Sequence, residues 1–189
     1  MPSLAELAPV EEKFFQNSKD MLAPDPDSSF EEQSEVPGHE CGVLAEISPD
    51  SDITYDALSQ GAKAIQNRGQ DAYGAFVLDD KTGKYMGHKD FGKVEVVREA
   101  MTKEDEERVL KFVGRAGVVH LRYSTILGQS SEEKRKSMQP RRNHEKTTAE
   151  AHNGNFINAL STALEHGLPL SECVSDSMAA FSYINQLSE

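Results

Sequence analysis

Four short polar clusters carry residue types that can do chemistry together. The first is Cys41-Gly42, at the start of an alternating apolar stretch. The second is Arg68-Gly69-Gln70-Asp71. The third is His120-Leu121-Arg122-Tyr123-Ser124-Thr125. The fourth is His152-Asn153-Gly154-Asn155, with Ser175-Asp176-Ser177 beyond it. A thiolate attacks carbonyl carbon, and it needs a base to take its proton. His120 and His152 have the composition for that base. So does a free α-amino group, whose ordinary pKa of about 7.7–8.0 suits the task. Arg122 can grip a carboxylate with two parallel hydrogen bonds, and Asp176 can hold an ammonium group. Asn153 and Gly154 can offer a side-chain amide and a backbone N–H to a developing oxyanion. A ligand with a carboxylate, an α-ammonium and an amide carbonyl satisfies the whole set, as an amino acid with a side-chain amide does. Each cluster also has a plainer use: Arg122 as an ion-pair partner, Asn153-Gly154 as a turn, Asp176 as a helix cap, Gly69 as a helix terminator. From spacing alone, the reading stops at a cysteine amidase.

The elements that must position these clusters follow from hydrophobic period and turn residues. Residues 42–47 alternate as a strand, and Pro49-Asp50-Ser51-Asp52 is a turn in which Asp52 can cap a helix over about 53–67. That helix places Tyr55, Leu58, Ala62 and Ile65 on one face. Ala72–Leu78 and Tyr85–Asp90 form a hairpin. A charged helix is expected over about 102–112 and a strand over Gly117–Tyr123. Residues 126–147 read as a polar loop. A short strand at Ala149–His152 leads through Asn153-Gly154-Asn155 into a helix ending near Glu165, broken by Gly167-Leu168-Pro169. A last helix runs over about Asp176–Leu187, capped by Ser175 or Asp176. The order lacks the regular alternation of a doubly wound sheet and predicts an α+β domain with largely antiparallel strands.

Composition narrows the classes. The chain has 189 residues and a net charge of −12, which argues against a surface for nucleic acid or anionic membrane. Residues 1–40 hold ten carboxylates against two lysines, so −8 of that charge lies there. The same stretch has five of the eight prolines and reads as a disordered acidic leader or propeptide. Residues 41–189 are then the folded domain. Cys41 and Cys173 are too few for a disulfide framework, and no signal peptide or membrane-spanning run is present, so the expected location is cytoplasmic.

Cys41-Gly42-Val43, Asn67-Arg68-Gly69-Gln70-Asp71-Ala72-Tyr73-Gly74, His120 through Thr125, Gln139-Pro140, Ala151 through Asn155 and Ser175-Asp176-Ser177 stand in the order of the class II glutamine amidotransferases, the N-terminal-nucleophile (Ntn) hydrolases. The chain resembles that family over residues 41–187. Its Arg-Gly-Gln-Asp form is similar to the glutaminase domain of amidophosphoribosyltransferases. Sugar-phosphate aminotransferase relatives usually have tyrosine in place of Gln70. The resemblance implies a four-layer α/β/β/α sandwich, here expected to be incomplete at its C-terminus. It implies Cys41 as the nucleophile that forms a γ-glutamyl thioester, its own freed α-amine as the base, and Asn153 and Gly154 as the oxyanion hole. Arg122 would bind the α-carboxylate and Asp176 the α-ammonium. Tyr123, Ser124, Thr125 and His152 would line or support the pocket, with Arg68 and Asp71 buttressing it. The implied activity is glutamine hydrolysis that supplies ammonia for phosphoribosylamine formation in purine synthesis, with a phosphoribosyltransferase domain or subunit as partner and a homo-oligomer when full length. No cofactor is expected in this stretch; full-length relatives use Mg2+, and some carry an iron–sulfur cluster elsewhere. Two alternatives stay open: an unprocessed, truncated glutamine-binding paralogue without catalysis, and a free-standing ammonia donor to another synthase.

Overall fold

A computed structural model describes residues 40–123, 130–169 and 175–187. The expected leader up to residue 39, Ser124, Thr125 and Cys173 lie outside the described residues. The described residues fall into two compact units, one formed by residues 40–123 and 138–153, the other by 130–137, 154–169 and 175–187.

The first unit is built on an antiparallel sheet. Its strands are β1 (Gly42–Ile47), β2 (Ile53–Thr54), β3 (Ala72–Asp79), β4 (Lys84–Phe91) and β5 (Val113–Arg122). The order is β1-β5-β3-β4, and β2 continues alongside β5 where β1 stops. Three helices accompany it: α1 (Tyr55–Ala64), α2 (Val94–Ala100) and α3 (Lys103–Val109). Strand alternation sends Tyr73, Ala75, Val77, Val119 and Leu121 to one face. There they meet Tyr55, Leu58 and Ala62 of α1, Val94 and Val97 of α2, and Val109 of α3 in a single buried cluster. Polar atoms inside it are used: Ser59 Oγ donates to the Tyr55 carbonyl at 2.7 Å and lies 2.8 Å from the Tyr73 hydroxyl. The mixture of helices with an antiparallel sheet is the α+β class.

Several local outcomes in this unit differ from the sequence reading. α1 is capped by Thr54, whose hydroxyl accepts from Ala57 N, rather than by Asp52. Pairing of Ile53 and Thr54 with β5 delays the helix start. α2 was not expected at all; its run is short and charged, but Val94 and Val97 are buried at the i, i+3 spacing of a helix face. Gly69 is five residues beyond α1 and does not terminate it. A Cβ there would lie 2.5 Å from the Leu121 carbonyl oxygen and 2.8 Å from the Arg122 carbonyl carbon, so the position demands glycine for close backbone approach.

The opposite sheet face carries a strap. Met138-Gln139-Pro140 crosses β3 at Gly74, where a Cβ would stand 2.6 Å from the Gln139 carbonyl oxygen. Lys89, the cross-strand partner of Gly74, ties the strap down by donating to Met138 O at 2.6 Å and Pro140 O at 2.9 Å. A small ribbon follows, β6 (Arg141–Arg142) with β7 (Ala149–Glu150). It docks on the start of β4 through Tyr85 N to Lys146 O and Arg142 to Tyr85 O.

The second unit contains α4 (Ser131–Lys136), α5 (Ala159–Glu165) and α6 (Asp176–Gln186). α4 falls in the stretch expected to be loop. It has a capping box between Ser130 and Glu133 but no buried residue, so hydrophobic period could not reveal it. α5 starts at Ala159, later than expected, and ends as expected at Glu165, followed by Gly167 (φ 65°) with Leu168 N bonded back to Ala163 O at 2.8 Å. α5 and α6 share a cluster of Ala159, Ala163, Leu168 and Ala179 with Tyr183 against it.

Candidate functional site

β1 and β5 run antiparallel with Gly42 opposite Leu121 and Val43 opposite His120. That register brings Cys41, just before β1, to the end of β5. The Cys41 Sγ accepts from Tyr123 N at 3.4 Å and faces Tyr123 O at 3.5 Å. Gly42 packs closely beside it: a Cβ there would stand 3.2 Å from Arg68 Cβ and 3.3 Å from Leu121 Cβ. Arg122, the last residue of β5, is buried although charged.

The thiol and guanidinium act on each other. Burial pushes the Cys41 thiol above its ordinary value; the Tyr123 backbone and the Arg122 charge pull it down, and the Asp71 carboxylate pushes it up. Burial lowers the Arg122 pKa, while Cys41 and Asp71 oppose that shift. Asp71 is placed by its own backbone, with N–H donating to Arg122 O at 2.9 Å and its carbonyl accepting from Gly92 N at 2.8 Å. Cys41, Asp71, Arg122 and Tyr123 are therefore one electrostatic group. Arg68 donates at 2.6 Å to the carboxylate of Glu40, the residue immediately before the cysteine.

Of the two histidines considered as a base, His120 makes no hydrogen bond to the thiol. His120 is buried at 2% exposure, and neither ring nitrogen reaches hydrogen-bond geometry. Burial lowers its pKa to about 4; the nearby His152 backbone opposes this, and the charges of Arg122, Lys89 and His152 reinforce it. It is neutral at pH 7 and poorly matched to proton transfer there.

His152 is positioned by a residue whose role the sequence did not announce. Gln139 accepts from His152 N at 2.6 Å through Oε1, and its Nε2 donates to His152 O at 3.4 Å. This two-sided clamp fixes the backbone entering Asn153-Gly154. Asn153 is exposed and belongs to the first unit, while Gly154 opens the second. Asp176, in the second unit, is the first residue of α6; Ser175 caps the helix by accepting from Met178 N. The Asp176 carboxylate accepts from Phe156 N at 2.8 Å, Ser177 N at 2.7 Å and Ser177 Oγ at 3.3 Å. An ionised carboxylate has about four acceptor sites, so capacity for a cationic ligand remains.

Of the expected site residues, Cys41, Arg68, Asp71, Arg122 and Tyr123 are thus gathered around the meeting of β1 and β5. His152 and Asn153 follow the Gln139 clamp. Gly154 and Asp176 lie in the other unit, and Ser124 and Thr125 lie outside the described residues. Among the described residues there is no cluster of side chains able to hold a metal ion, and no helix long and apolar enough to cross a membrane.

No family profile matches the chain. Over 85 residues, 45% of its length, the chain is 32% identical to glutamine--fructose-6-phosphate aminotransferase (isomerizing) of Saccharomyces cerevisiae. The match covers 12% of that relative, so the chain corresponds to a small part of the curated protein it resembles.

Proposed function

We propose that this chain carries a glutamine-hydrolysing site in which Cys41 is the nucleophile. One observation carries the reading: the Cys41 thiol is held 3.4 Å from Tyr123 N, next in sequence to the buried Arg122 and in its field. The partial likeness to the yeast aminotransferase, whose name includes glutamine, supports it. Arg122 takes the α-carboxylate of glutamine, which offsets the cost of burying a guanidinium. The family resemblance assigns the α-ammonium to Asp176 and the oxyanion to Asn153 with Gly154.

The chemistry then balances in two steps. The sulfur attacks the side-chain amide carbon, the thiol proton passes to the amide nitrogen, and the C–N bond breaks to release ammonia and leave a γ-glutamyl thioester. Water cleaves the thioester to glutamate and regenerates the thiol. The proton carrier is the α-amine of Cys41, the base that the resemblance to the class II glutamine amidotransferases implies. A peptide nitrogen is not a base, so this role requires cleavage between Glu40 and Cys41, with residues 1–40 as a propeptide. Gln70 in Arg-Gly-Gln-Asp favours the amidophosphoribosyltransferase branch, and with it a phosphoribosyl acceptor, a cytoplasmic setting and the four-layer sandwich.

A second reading, glutamine binding without hydrolysis, is favoured by the raised thiol pKa and by the peptide bond to Glu40. Intact mass and glutamate release separate the two. A chain beginning at Cys41 that releases glutamate, with Cys41→Ala inactive, supports the enzyme. A stable chain that keeps residues before Cys41 and releases no glutamate overturns it.

A further inference from the structure

Away from Cys41, a cavity of about 320 Å3 opens over the outer edge of β4. Its walls come from four elements of the same unit. β3 and β4 give Phe76, His88 and Lys89, α3 gives Arg108, and β6 gives Arg141 and Arg142. Four permanent or near-permanent cations thus line one opening in a chain whose net charge is −12.

The cations are built in rather than scattered. The Phe76 ring forms a floor, with Arg142 4.9 Å and Lys89 5.9 Å from its centre. Lys89 is anchored by the strap carbonyls and Arg142 by Tyr85 O, so both are held in place before any ligand arrives. They also strain one another: burial, Arg141 and Arg142 lower the Lys89 pKa to about 8, and burial with Arg108 lowers that of Arg142. The surrounding carboxylates temper this charge. Asp105 pairs with Arg108, Glu150 stands opposite Arg141 in the ribbon, and Asp90 acts on His88.

The geometry points to a binding site for a small phosphorylated solute in the cavity between β4, α3 and β6. Planar guanidinium groups match phosphate oxygens in pairs, and Lys89 adds a point charge. The volume lies at the low end for small-molecule sites, which suits a phosphate ester rather than a polymer. The overall acidity disfavours nucleic acid or an anionic bilayer.

The test is calorimetric titration of the full chain with inorganic pyrophosphate at low ionic strength. Saturable single-site binding is expected, weakened by added sodium chloride. Arg142→Gln and Arg108→Gln should each weaken it about tenfold, the loss of one charge-assisted contact. Arg108 has an exposed side chain, so that variant retains the fold if Arg142→Gln does not. Arg115→Gln is the control, because Arg115 bonds to Pro49 O at the other end of β5; its affinity should match the parent. Absence of saturable binding, affinity unchanged in both pocket variants, or equal weakening in Arg115→Gln overturns the proposal.

Discussion

Gly69→Ala is a small change with a readable consequence at the site. Ordinary contact begins at 3.4 Å, and the added methyl would lie 2.5 Å from Leu121 O, 2.6 Å from Leu121 C and 2.8 Å from Arg122 C. All three atoms belong to backbone at the end of β5, so no side chain can rotate away. Backbone must give by about 0.6–0.9 Å, and overpacking of this kind costs about 1–3 kcal/mol. The displaced backbone carries Arg122 and bonds Asp71 N, so the error enters the thiol and carboxylate geometry directly. A displacement near 1 Å can cost about 100-fold in rate. The assay is glutamate release against glutamine concentration, beside denaturant unfolding of the same preparation. The expected result is a kcat/KM lowered about 10- to 100-fold with stability reduced by about 1–3 kcal/mol. Unchanged stability together with unchanged kcat/KM would refute the reasoning that close approach at Gly69 sets the Arg122 position.

Other outcomes follow from the same geometry. His120 has a folded pKa of about 4 against an ordinary 6.5, so the unfolded chain binds the proton more readily between those values. Stability should therefore fall as pH drops from 6.5 toward 4, by about 3 kcal/mol in the limit. In denaturant unfolding at pH 7 and pH 5, His120→Gln should lose less stability on acidification than the parent; parallel losses would remove the assignment. Gln139→Ala removes both bonds to His152 and should lower kcat by about tenfold or more while leaving glutamine KM near its parent value. Arg122→Ala should chiefly raise glutamine KM, and an unchanged KM would remove Arg122 from the carboxylate.

The core was legible where one face alternates cleanly. Gly42–Ile47, the Ala72 hairpin and the Tyr55, Leu58 and Ala62 face all give strong period signals, and the structure places them as expected. α2 and α4 were not legible because their runs are short and mostly charged, although the Ser130–Glu133 capping box was available to be read. Strand ends were misjudged where pairing, rather than composition, sets the length: β5 begins at Val113 because β2 and β3 pair with it there. At the site, residue types identified Cys41, Arg122 and Asp71 as chemical groups, but nothing local could show that β1–β5 register joins them. Gln139 was visible only as part of a Gln-Pro pair, since its clamp on His152 spans 13 positions. The cationic cavity was hidden for the same reason. Lys89, Arg108 and the Arg141-Arg142 pair are distant from one another in sequence, and that pair lies in a stretch that reads as a solvated charged loop.

The most direct test of a nucleophilic Cys41 is covalent labelling by a glutamine analogue with a diazoketone in place of its side-chain amide, followed by peptide mass spectrometry. The account predicts alkylation at Cys41, on a peptide whose first residue is Cys41, with glutamine slowing the reaction. A Cys41 that stays unmodified in folded protein, or reacts equally fast with and without glutamine, contradicts it.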